Sequence, residues 1–180
     1  AMGNLTAGMD GMPEDLDGSA LAAYVGCMFD PSLSWADLEW LRSLSDLPVL
    51  VKGVVHPEDA RLALDHGAAG VIVSNHGGRQ LDTAPATLDV LPAIAAAMAG
   101  QGELLIDGGV RRGTDVIKAL ALGVRAVAIG RPALWGLAVD GEAGVADVLR
   151  ILRAELDAAL AMCGATSVAE VGPDLLYPAS

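Results

Sequence analysis

Four short apolar runs, spaced along the chain and separated by helical patterns, most constrain what this sequence can fold into. They are "PVLVK" at 48–52, "GVIVSN" at 70–75, "ELLID" at 103–107 and "RAVAIG" at 125–130. Each is almost continuously apolar, as parallel strands covered on both faces are. Helical patterns lie between them. Pro57, Glu58 and Asp59 start one that ends at Gly67, another spans about Leu88 to Met98, and a third runs from Thr114 to Leu122 and stops at Gly123. A long one follows over about Val145 to Cys163, closed by Gly164. Before the first strand, Ser34 is expected to cap a further helix, with Asp37 in its first turn and Trp35, Leu38 and Leu41 on one face. The alternation makes the chain α/β with right-handed crossovers.

Every run ends in residues suited to a ligand: Lys52-Gly53, Asn75-His76-Gly77-Gly78, Asp107-Gly108-Gly109 and Gly130-Arg131. Carboxyl ends of strands are where α/β proteins bind ligands. Four such units make one half of a (β/α)8 TIM barrel, strands 5–8 with their helices. A doubly wound open sheet is the rival, but it concentrates its glycine turn after the first strand. Half a barrel leaves two bare strand edges and an apolar inner face. The chain is therefore expected to be a fragment or to pair with another half, and its first residues, "AMGNLTAGMDGMPEDLDG", read like the middle of a loop. Residues 1–20 are taken as a mobile loop segment and 21–180 as the half barrel.

Composition narrows the partners. Of 180 residues, 53% are hydrophobic, enough for a real core. Lys and Arg number 11 against 23 Asp and Glu, a net charge of −12, which argues against nucleic acid or an anionic membrane. Any anionic ligand must be held by a few local cations. Cys27 and Cys163 lie far apart without metal-ligand spacing, so no metal site is expected, and a reducing cytoplasm fits. No apolar run approaches membrane-spanning length, and the start has neither the basic region nor the apolar core of a signal peptide.

The chemistry-bearing groups can be weighed one by one. In "LLIDGGVRRGTD", Gly108 and Gly109 allow close backbone approach, Arg111 and Arg112 bring charge, and the helix near Thr114 offers N–H groups, a combination that suits a phosphate. The bland alternative is a glycine-rich turn with two solvated arginines. Gly130 and Arg131 repeat the arrangement one strand later, and two such loops on adjacent strands can converge on one anion. Lys52 tops a buried strand, where it either meets an electron-rich ligand atom or snorkels to the rim. In "SNHGGRQLD", His76 and Arg79 flank two glycines that can turn both side chains toward one cavity. A base beside a carboxylate clamp suits removal of a proton or hydride from the carbon next to a carboxylate. His56, before a helix-starting proline, and His66, at a helix end, read as structural. Trp35, Trp40 and Trp135 read as packing or interface residues.

Taken together, "VKG", "GVIVSNHGGRQLD", "LLIDGGVRRGTDVIKALALG" and "VAIGRPALWGLAVDGEAGV" closely resemble the FMN-dependent α-hydroxy-acid oxidases and dehydrogenases, the family of glycolate oxidase, lactate oxidase and mandelate dehydrogenase. The resemblance runs from about Asp30 to Leu176. It implies a barrel that binds FMN at its carboxyl face and oxidises an (S)-2-hydroxy acid to the 2-oxo acid. Carried over, Lys52 and Ser74 would face the flavin, Lys52 near N1 and O2. His76 would be the base, Arg79 would bind the substrate carboxylate, and Asp107, Gly109, Arg111, Gly130 and Arg131 would hold the ribityl chain and phosphate. The family's enzymes are about twice this length. The amino-terminal half of the same barrel is then an expected partner, supplying tyrosines and an aspartate that pairs with the histidine. The resemblance also implies a homo-oligomer, a tetramer. "FDPSLSWADLEWLRS" looks most like bacterial mandelate and hydroxymandelate oxidases, and the end "LLYPAS" lacks the Ser-Lys-Leu peroxisomal address. Two alternatives stay open: another FMN or phosphate barrel such as the FMN-dependent isopentenyl diphosphate isomerase, which would not need "NHGGRQ", and a half barrel without catalysis.

Overall fold

The computed structural model describes residues 30–177, and the chain divides after Ser34. The loop segment expected at 1–20 lies outside the described residues. From Trp35 onward the order is α1 (Asp37–Ser43), β1 (Leu50–Val54), α2 (Pro57–Asp65), β2 (Gly70–Val73), α3 (Thr87–Met98), β3 (Glu103–Ile106), α4 (Gly113–Ala121), β4 (Ala126–Val127) and α5 (Arg131–Met162). The strands form one parallel sheet in the order β1-β2-β3-β4. Sequence order without reversal removes the doubly wound alternative, which needs a switch point. Successive right-handed crossovers then keep the helices on one face, as in one half of a (β/α)8 barrel.

The pleat decides what each face does. Val71, Val73, Leu104 and Ile106 point to the helix side and are buried with Ala60, Ala63, Leu91, Ile94 and Met98. Leu91 and Ile94 are fully buried, each contributing about 1.5–3 kcal/mol relative to exposure. The opposite row is Lys52, Ile72, Leu105 and Ala126, in register across the four strands. Those side chains are half-buried or exposed, and Leu50 on the same side is 37% exposed. The continuous apolarity of the strands led to an expectation of cover on both faces. Among the described residues only one face is covered, and the inner face is half-buried or exposed.

Local chemistry sets the helix ends. His56 caps α2, its Nδ1 accepting from the Glu58 N–H at 3.3 Å, with Pro57 following. The helix stops at Gly67, whose N–H donates to the Leu64 carbonyl at 2.8 Å. The helix expected to open at Ser34 begins at Asp37, with Ala36 at the N-cap position. The strand expected over 125–130 shrinks to Ala126–Val127. The helix expected from Val145 belongs to a longer one that starts at Arg131 and breaks at Asp140 (φ −149°) and Gly141 (φ +52°). The two arms cross where Gly136 and Gly144 meet, since a Cβ on either would overlap the other's carbonyl.

The start of α4 is closed by two carboxylates. Asp115 Oδ2 accepts the N–H groups of Arg111 and Arg112, both at 2.9 Å. Glu155, from α5, accepts the Gly113 N–H at 3.0 Å and binds Arg112 Nη1 at 2.8 Å. The hydrogen bonds from Arg112 and Gly113 hold the Glu155 carboxyl below its ordinary value of 4.5. A lowered carboxyl pKa stabilises the fold above the unfolded value, and that stability is lost as pH falls through the folded one. Glu155→Gln should therefore lower the melting temperature at pH 7 and flatten the fall in stability below pH 4.5. Thermal melts across that range check it; an unchanged acid limb would mean Glu155 does not cap α4 in solution.

Among the described residues, no helix is long and apolar enough to cross a membrane, and no group of three or more His, Cys, Asp or Glu side chains could hold a metal ion.

Candidate active site

The four strand ends meet at one rim. Lys52 leaves β1 just before Gly53 (φ +102°), where the register between β1 and β2 shifts. Its ammonium is fixed twice, to Asp107 Oδ2 at 2.9 Å and to Ser74 Oγ at 3.0 Å. It is thus anchored to the ends of β2 and β3 rather than snorkelling freely. Ser74 is 1% exposed and lies behind the wall of the site, where its Oγ also accepts the His76 N–H at 3.1 Å. A single buried hydroxyl therefore ties Lys52 to the backbone of His76.

After β2 the chain makes a tight turn in which His76 (φ +53°), Gly77 (φ +68°) and Gly78 (φ +72°) are all left-handed. Two of these positions are inexpensive because they are glycine, whereas His76 costs about 1–2 kcal/mol. The turn is over-determined in compensation. Asn75 Oδ1 accepts the Gly77 N–H at 3.0 Å, Asn75 Nδ2 donates to the Pro85 carbonyl at 3.1 Å, and Arg131 Nη2 donates to the Gly77 carbonyl at 3.2 Å. The glycines do turn the loop, and the result is an exposed imidazole and an exposed guanidinium, Arg79, on one rim. None of the ion pairs among the described residues involves His76 or Arg79.

A cavity of about 190 Å³ collects the candidate residues: Lys52, His76, Arg79, Asp107, Gly109, Arg111, Gly130 and Arg131 all line it. Ser74 alone of the expected set stays behind the wall. Lys52, Arg79, Arg111 and Arg131 bring four positive charges against one carboxylate, Asp107, so the site is cationic in a chain of net charge −12. The N–H groups at the start of α4 are already taken by Asp115 and Glu155, and Arg112 is paired with Glu155, so neither belongs to the anion site that "VRRGTD" was expected to make. What remains for an anion is the Gly108–Gly109 turn, the Gly130 loop and the side chains of Arg111 and Arg131.

Two observations test the fit of FMN. Asp107 Oδ1 is buried without a hydrogen-bond partner, an acceptor waiting for a donor such as a ribityl hydroxyl. At Gly109 and Gly130 a Cβ would meet nothing within 4 Å, so both backbones border open space that a bound group can approach closely. The residues fit the cofactor. Sequence reasoning missed Thr87, whose Oγ1 donates to the Asp107 carbonyl at 2.8 Å, and Trp135, whose ring lies 5.0 Å from Arg111 Cζ. No local pattern announces either contact.

A parallel half barrel with a histidine, an arginine and two glycine-arginine loops gathered on its carboxyl rim has the architecture of a ligand-binding α/β-barrel protein. The chain belongs to the FMN-dependent dehydrogenase family, which matches residues 4–178. It is 52% identical over 166 residues to a 2-hydroxyacid oxidase of Dictyostelium discoideum, covering 92% of this chain and 42% of that protein. It is 54% identical over 160 residues to 2-hydroxyacid oxidase 1 of Homo sapiens, covering 89% and 43%. Among solved structures, the monotopic membrane protein (S)-mandelate dehydrogenase aligns with a TM-score of 0.81 at 45% identity, over 88% of this chain and 42% of that one. The chain thus spans less than half the length of the curated relatives it matches.

Proposed function

We propose that this chain carries the base, the carboxylate clamp and the phosphate loops of an FMN-dependent enzyme that oxidises an (S)-2-hydroxy acid to the 2-oxo acid. Mandelate or 4-hydroxymandelate is the favoured substrate. The observation that carries the reading is convergence: His76 and Arg79 share one cavity with the Lys52–Asp107 pair and both glycine-arginine loops. Bound FMN supplies the acceptor for two electrons. His76 takes the proton from the substrate hydroxyl or α-carbon, and Arg79 orients the substrate through its carboxylate. Lys52, held by Ser74 and Asp107, keeps a positive charge at the wall where negative charge on the cofactor is stabilised. Ser74 acts through Lys52 and the His76 backbone. Gly109, Arg111, Gly130 and Arg131 take the phosphate.

The inner face of the sheet, with Leu50 and Ile72 in reach of solvent, is the surface the amino-terminal half of the barrel covers. A cytoplasmic homo-oligomer, a tetramer, completes the proposal, and sizing of the assembled enzyme checks it.

The visible absorption spectrum of the assembled protein without oxygen, before and after (S)-mandelate, tests the reading. Bleaching of the flavin band supports it. A band bleached by lactate or glycolate and not by mandelate keeps the reaction and changes the substrate. A flavin band untouched by any 2-hydroxy acid overturns the reaction. In the same assembly, Arg79→Ala should raise KM by about 10–100-fold with a smaller effect on kcat, as loss of a charged hydrogen-bond pair does. An unchanged KM would remove Arg79 from carboxylate binding.

A further inference from the structure

Arg111 reaches the cavity from the turn after β3 under two separate constraints. Its Nη1 donates to the Val110 carbonyl at 2.7 Å, and its Cζ lies 5.0 Å from the centroid of the Trp135 ring. Trp135 stands one helical turn after Arg131, so the indole beneath one cavity arginine is rooted in the same turn of α5 as another. Trp135 does not itself line the cavity, and at 54% exposed it does little for the core. Its contact of consequence is with the guanidinium, which stacks well on an indole face because it is planar and weakly hydrated. A guanidinium left on a flexible stem would sample many rotamers; one laid on a ring and tied to a carbonyl is held in place before a ligand arrives.

We propose that Trp135 is a positioning residue, a platform that holds the Arg111 guanidinium at the anion end of the cavity and so favours a phosphate monoester over the same molecule without its phosphate. The proposal deepens the FMN reading and rests on it for the identity of the ligand. All the groups involved lie on this chain, so inorganic phosphate serves as a probe that needs neither flavin nor a second half.

The test is calorimetric titration of the 180-residue chain with inorganic phosphate, then with FMN and riboflavin. Trp135→Ala should weaken phosphate and FMN by about 2- to 5-fold, the loss of one exposed cation–π contact, and leave riboflavin unchanged. Trp135→Phe should fall between. In an Arg111→Met background, Trp135→Ala should have no further effect. Equal weakening of FMN and riboflavin, or independent effects of the two substitutions, would make Trp135 merely structural and overturn the proposal. Wild-type chain that binds no phosphate would overturn it together with the anion reading of the cavity. Phosphate binding that depends on Trp135, with no preference for FMN over riboflavin, would overturn the phosphate-ester preference and with it the proposal, leaving the anion reading of the cavity in place.

Discussion

Replacing His76 by alanine is expected to slow flavin reduction by about 10²–10⁴-fold in the completed barrel, while FMN stays bound. The imidazole stands exposed on the rim, and what fixes the residue is its backbone, through the bond from its N–H to Ser74 Oγ. Removing the ring therefore removes the base and leaves the loop's anchors in place. Lys52, Asp107 and the glycine loops, which carry the cofactor in this reading, do not depend on it. The left-handed φ of +53° offers a second variant. Asparagine tolerates that conformation better than alanine and carries no base, so His76→Asn should keep the turn and still lose the rate. Stopped-flow reduction with (S)-mandelate under anaerobic conditions measures both. A rate within a few-fold of wild type in either variant would take His76 out of the mechanism, whereas loss of bound FMN would make it a cofactor-holding residue instead.

Much of the candidate site was legible because most of its side chains stand in or close after a strand end. Lys52, His76, Asp107 and Arg131 lie within a strand or no more than about four residues past one, so a list of strand ends already collects candidate site residues. The strands themselves were legible because parallel pairing leaves continuous apolar runs. The open inner face was not, since Ile72 and Leu105 read as core whether or not this chain supplies their cover. Contacts between remote residues were the second loss. The carboxylate that closes α4 comes from Glu155, 42 positions from Gly113, and without it the N–H groups of "RRGTD" look free for phosphate. Arg112 looked equivalent to Arg111 for the same reason; α5 separates them by taking one onto Glu155 and the other onto Trp135. The first arm of α5 was missed because Gly136, Asp140, Gly141 and Gly144 look like a loop. Two of those glycines are in fact where helical arms touch. The turn at 76–78 shows the converse, a local rule that local chemistry obeys: the two glycines beside His76 permit the left-handed backbone found there.

Gly113→Ala is expected to destabilise the chain by about 1–3 kcal/mol, the cost of overpacking a closed contact. The sign is what makes the experiment informative. At a helical position whose φ an L-residue adopts freely, glycine to alanine ordinarily stabilises by about 0.4–1 kcal/mol, through lower entropy of the unfolded chain. Gly113 opens α4 outside the left-handed region, so nothing in its own backbone forbids a methyl group. The obstacle is α5: a Cβ there would overlap the backbone of Glu155 and Leu156. The two helices would have to part, and parting them draws Glu155 away from the Gly113 N–H and from Arg112 at once. The small cluster of Ile117, Ala159 and Leu160, which joins α4 to α5, would loosen with them. Urea denaturation followed by circular dichroism measures the change, and Gly113→Val should cost more than alanine. A midpoint that rises with alanine would mean that α4 and α5 sit further apart in solution, and would make Glu155 a surface charge with no cap to supply.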